Sequence, residues 1–116
     1  MQRHYRDDQR DVRFEVLDGR LVRTLVLPGG RSYVHRCTRE VFEAVARATE
    51  RCADDGVTLN PLAAALDAPA TQVNVALEFL KERGCVVTRC RRNYPASDVP
   101  YEDAMTQFFY LRDLPY

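Results

Sequence analysis

Between residues 12 and 27, apolar and polar positions alternate with a period of two. Val12, Phe14 and Val16 are separated by Arg13 and Glu15, and a second apolar-rich run from Leu21 to Leu27 follows Asp18 and Gly19. Asp-Gly supplies the positive φ angles of a type I′ turn, so the spacing predicts a β-hairpin. Pro28, Gly29 and Gly30 break the second strand, and residues 32–36 read as a third short strand.

From Thr38 the period changes to that of a helix. Val41, Phe42, Val45, Ala46, Thr49 and Cys52 fall on one face, and Arg39, Glu43, Arg47 and Glu50 on the other. Thr38 is a suitable N-cap, and Glu40 complements the positive end of the helix dipole. Asp54, Asp55 and Gly56 end this helix. Thr58 caps a short second one, with Leu59, Leu62, Ala63 and Leu66 inside. After the turn at residues 67–70, Thr71 opens a third helix, predicted over 71–83. Its inner face is Val73, Ala76, Leu77 and Leu80, and Gly84 is its stop signal. Residues 85–90 read as a strand, followed by a basic loop at Arg91 and Arg92. Pro100 sits in the first turn of a last helix whose bulky members are Tyr101, Met105, Phe108, Phe109 and Leu111. The chain divides into a frayed N-terminus (1–11), a hairpin or short sheet (12–36), a helical unit (37–97) and a C-terminal helix (98–116).

The 116 residues suit one domain, and 46% hydrophobic with 29% charged residues excludes a disordered tail or a rod. No apolar run approaches the ~20 residues that span a bilayer, and the charged start has no signal-peptide core, so a cytoplasmic protein is expected. Sixteen arginines and one lysine are cancelled by 17 acids, so bulk charge offers no attraction to nucleic acid. The charge is blocked, however. Residues 1–36 and 70–93 each carry a net +3, while 37–69 and 94–116 each carry −3. Two basic surfaces are one explanation and scatter is the other.

The order helix, short capped helix, tight turn, third helix, glycine, strand and basic loop resembles the winged helix-turn-helix. It is carried by residues 58–66 (TLNPLAAAL), 71–84 (TQVNVALEFLKERG) and 85–87 (CVV). The resemblance spans residues 38 to about 96, roughly half of the chain. It implies an α+β fold in which a three-helix core with a short wing carries an N-terminal β-hairpin and a C-terminal helix. It also implies a third helix that enters the DNA major groove, with Thr71, Gln72, Asn74 and Val75 facing base edges. Gln and Asn can pair with adenine, and Thr and Val can touch a thymine methyl. Arg89, Arg91 and Arg92 would lie on the wing, against phosphate.

Other residues fit a protein contact better. Glu78 and Glu82 share the outer face and would repel phosphate, while Val75 and Phe79 are expected to tilt outward as a partner surface. Residues 93–96 leave the alternating pattern at once, so the wing is expected to be short. Tyr101, Met105, Phe108 and Phe109 concentrate aromatic surface on the last helix, either as a homodimer interface or to close the core. The alternative to a homodimeric DNA-binding regulator is therefore a winged-helix interaction module without direct DNA reading.

Enzymatic and metal chemistry find no support. The cysteines at 37, 52, 85 and 90 lack C-x2-C spacing and read as buried apolar thiols. Residues 27–31 form a turn without the Lys-Ser or Lys-Thr of a phosphate loop, and no Ser/His/Asp pattern is present. No catalytic residue, metal or cofactor is expected.

Overall fold

A computed structural model describes residues 11–114. Residues 1–10 of the segment expected to fray lie outside that range, as do residues 115 and 116, and Asp11, the last residue of that segment, is in a strand. The described residues form an α+β domain with four helices and two small antiparallel sheets.

Strand β1 (Asp11–Leu17) pairs with β2 (Arg20–Val26), and β2 pairs with β3 (Ser32–Cys37), in the order β1-β2-β3. Asp18 and Gly19, at φ 53° and 75°, make the tight turn that their residue types predict. Helix α1 (Arg39–Arg51) follows, and the Thr38 hydroxyl accepts a hydrogen bond from the Val41 amide at 3.2 Å. Helix α2 (Leu59–Leu66) ends at Asp67 in a left-handed conformation. Helix α3 (Ala70–Glu82) starts one residue earlier than Thr71, with Pro69 at its N-cap.

The residues after Cys85 depart from expectation. Strand β4 (Val86–Arg89) does return, through Cys90 and Arg91, into a second strand β5 (Arg92–Pro95). Val57 joins this sheet by a single bridge. Its amide donates to the Asn93 carbonyl and the Asn93 amide donates to the Val57 carbonyl, both at 2.9 Å. The apolar alternation is missing because this small sheet is held by polar bonds. The Asn93 side-chain amide donates to Val57 O at 3.1 Å, and the Asn93 Oδ1 accepts from the Thr88 hydroxyl at 2.8 Å.

One core joins these elements, β5 excepted. The inner face of the three-stranded sheet (Phe14, Val16, Leu21, Cys37) packs with α1 (Phe42, Val45) and α3 (Val73, Leu77, Leu80). Leu77 is buried, as the third-helix spacing predicts. Helix α4 (Pro100–Arg112) docks along α1. The Phe42 and Phe108 rings lie 5.1 Å apart, and the Arg47 guanidinium stacks 4.2 Å over Tyr101.

The last helix thereby closes the core instead of offering an aromatic interface. Met105, Phe108 and Leu111 are buried, and Tyr101 and Phe109 are half-buried beneath Arg47 and Arg39. A thirteen-residue helix laid on α1 has its bulky residues on the α1 side; only Tyr110 stands well out, at 58% exposure. Among the described residues, no helix is long and apolar enough to cross a membrane.

Candidate nucleic-acid interface

The residues expected to read bases sit on α3, the most enclosed of the described helices. Val75 is 1% exposed and Phe79 0%, which overturns the expectation that both tilt outward. The reason is the three-stranded sheet, whose strands β2 and β3 lie against α3 and whose Phe14 meets the Phe79 ring edge-on at 5.3 Å. That sheet comes from residues 11–37, far from α3 along the chain, so the periodicity of α3 alone carries no trace of it.

Gln72 is also engaged. Its Oε1 accepts the Thr38 amide at 3.0 Å, tying α3 to the junction between β3 and α1. Its carbonyl is therefore not free to meet adenine. What remains accessible on this side is a strip of exposed Thr71, Lys81 and Glu82 with half-buried Asn74 and Glu78. Its charges are internally neutralised, with Lys81 to Glu78 at 2.9 Å and Arg83 to Glu82 at 3.0 Å.

The β4–β5 hairpin is different. Arg89, Arg91 and Arg92 are all exposed, and among the described residues none of them pairs with a carboxylate. The Arg89 guanidinium lies 4.5 Å over the Tyr94 ring, which holds its stem flat while its edges stay open to solvent. Arg92 reaches back to the Asp55 carbonyl at 3.3 Å. At the tip, Cys90 and Arg91 adopt φ of 49° and 67°. Two successive non-glycine residues in the left-handed region make a strained turn, of a kind that persists where its surroundings over-determine it.

The base of the hairpin rests on Gly56, at φ +76°. A β-carbon there would lie 2.9 Å from Tyr94 Cε1 and 3.1 Å from Arg92 Cβ. Gly56, Asn93 and Tyr94 therefore support the arginines, and sequence reading missed all three in that role. Asp18-Gly19 was legible because its residue types are the usual ones for its turn. Cys90-Arg91 uses neither Gly nor Asn, so nothing in the letters marks it.

Only two of the four thiols are the buried groups expected. Cys37 and Cys85 are enclosed, while Cys52 and Cys90 are exposed because they sit at a helix end and a hairpin tip. Burial pushes the Cys37 thiol up from 9.0 to about 12. Burial, with a smaller push from Asp103 against Arg83, raises Cys85 as well. Under native conditions near pH 8, two thiols per chain should react with an alkylating reagent and all four in denaturant, counted by mass. In the unfolded chain Cys37 loses its proton near pH 9, whereas the folded chain keeps it to about 12. The folded state then binds more protons, so this site makes stability fall as pH rises between those values.

No protein-family model matches the chain, and no curated protein or solved structure matches it either.

Proposed function

We propose that the chain is a winged helix-turn-helix domain that holds double-stranded DNA by its phosphates through the β4–β5 wing, without base reading along its third helix. The order α1, Val57 bridge, α2, α3, β4, β5 supports the fold part of this reading. The observation that carries the functional part is the wing tip. Arg91 lies in a tight, strained turn and Arg89 and Arg92 flank it; all three are exposed, none has an acidic partner among the described residues, and Gly56 and Asn93 support the hairpin from beneath. Strain at such a tip points to a role for what it displays, and guanidinium groups there suit phosphate oxygens.

The closed face of α3 limits the mode of contact. With Val75 buried and Gln72 bonded to Thr38, only Thr71 and Asn74 of the expected base-reading set remain accessible. Binding is therefore expected to be salt-sensitive and weakly sequence-selective.

Changing Arg91 and Arg92 together to Ala tests this reading. Folding stability should change by less than about 1 kcal/mol, as exposed substitutions usually do. DNA affinity should fall similarly for unrelated duplexes, and the log–log salt slope should drop by about 1.8, at ~0.9 for each phosphate no longer neutralised. An affinity that ignores the double change overturns the wing contact. Absence of DNA binding at low salt overturns the reading as a whole. The enclosure of α3 and the neutral strip beside it would then favour a winged-helix interaction module that binds protein and not DNA.

A further inference from the structure

Strand β1 forms one edge of the three-stranded sheet among the described residues, and the protection it carries is charge, at Asp11, Arg13 and Glu15. It is seven residues long, contains no proline or lysine, and pairs with β2 without a bulge from Asp11 to Leu17. Such an edge is a template for another strand.

Its free hydrogen-bonding groups can be assigned. A two-residue turn joins Leu17 to Arg20, and the pair that closes such a hairpin is hydrogen-bonded. Alternation then directs the main chain of Asp11, Arg13, Glu15 and Leu17 toward β2. The amides and carbonyls of Val12, Phe14 and Val16 face the open edge. Among the described residues, no backbone bond from another segment reaches them.

We infer that the chain forms a two-fold homodimer in which β1 pairs antiparallel with the partner's β1, centred on Phe14. In that register Phe14 faces the partner's Phe14 and Val12 faces the partner's Val16, so the three free residues of each edge exchange hydrogen bonds. On the other face of the sheet, Arg13 stands opposite the partner's Glu15 and Glu15 opposite the partner's Arg13. The two neighbouring registers that also match the hydrogen bonds are disfavoured. Centring on Arg13 or on Glu15 sets like charges against each other on the axis, which destabilises a strand pair.

The monomer leaves these groups available. Among the described residues Glu15 has no ion-pair partner, and Arg13 is held only by Asp11 at 2.8 Å, with both side chains more than half exposed. An exposed pair of this kind is worth little and exchanges readily. Val12 and Leu17, 39% and 44% exposed, lie toward the ends of the same edge. The opposite edge, β3, lacks the pattern. Centred on Val34, it would set Arg36 against Ser32 and Tyr33 against His35, with no charge pair. Pairing β1 with β1 is also the closed solution, whereas pairing β1 with β3 would propagate into a fibre.

The dimer contains a continuous six-stranded sheet, and this inference is independent of the proposed wing contact. Sedimentation of the full chain from micromolar to several hundred micromolar tests it. The unchanged protein should show a concentration-dependent dimer. Arg13→Glu and Glu15→Arg should each weaken it about tenfold or more, since either change converts two attractive pairs into two repulsive ones. An equimolar mixture of these two variants should recover a dimer, because every opposed pair is again of opposite sign. Val12→Pro should weaken it as well, by removing an edge amide that β2 does not use. A monomer at every concentration overturns the inference. So does a dimer that the charge changes leave intact, or a mixture no better than either variant alone.

Discussion

Phe79→Ala is expected to destabilise the domain by about 3–5 kcal/mol, the usual range for a fully enclosed phenylalanine. The ring has no exposed surface and meets two others edge-on, Phe14 at 5.3 Å from the sheet and Phe42 at 5.8 Å from α1. Truncation would remove apolar burial and leave a cavity that three different elements line, so collapse cannot readily fill it. A shift of the urea midpoint reports the cost, and Phe79→Leu, which keeps most of the volume, should lose much less. The result also bears on function. A cost below about 1 kcal/mol would mean that the sheet does not sit on α3, and the outer face of that helix would again be open to bases.

Gly56→Ala is expected to cost about 2–5 kcal/mol. A left-handed conformation costs a residue with a β-carbon roughly 1–2 kcal/mol, and crowding in a packed site adds about 1–3. Both apply here: φ is +76°, and the new methyl would lie 2.9 and 3.0 Å from two atoms of the Tyr94 ring. Tyr94 carries the Arg89 stack, so its displacement would also disturb the β4–β5 hairpin. The thermal midpoint should fall by about 10–20 °C for a domain of this size. Amide exchange at Val57 and Asn93 should accelerate along with it, because their paired backbone bonds hold the hairpin to the loop before α2. A loss under about 0.5 kcal/mol would show that the hairpin does not rest on Gly56.

The elements legible in the sequence are those whose cause is local. Thr38 caps α1 because its hydroxyl reaches the Val41 amide three residues on. Asp18 and Gly19 turn the first hairpin because they tolerate positive φ. The third helix shows its inner face because Val73, Leu77 and Leu80 recur at its own period. The second hairpin was illegible for the same reason inverted. Its turn uses Cys90 and Arg91, which have no special affinity for the left-handed region, and its second strand is held by Asn93 reaching Val57, 36 residues earlier.

The surfaces divide along the same line. Val75 and Phe79 look outward when α3 is considered alone, and the last helix looks over-supplied with aromatics when its partner α1 is left out. Both apparent surfaces are covered by segments remote in sequence, the sheet in one case and α1 in the other. The first hairpin, the helices, their order and the arginines at 89, 91 and 92 can be read along the chain, because short-range periodicity and turn chemistry act within a few residues. Contacts between remote segments set which face of α3 is spent on the core, that Gln72 serves Thr38, and that the second hairpin closes. Those outcomes depend on packing between segments, and a pattern read along one segment does not contain the position of another.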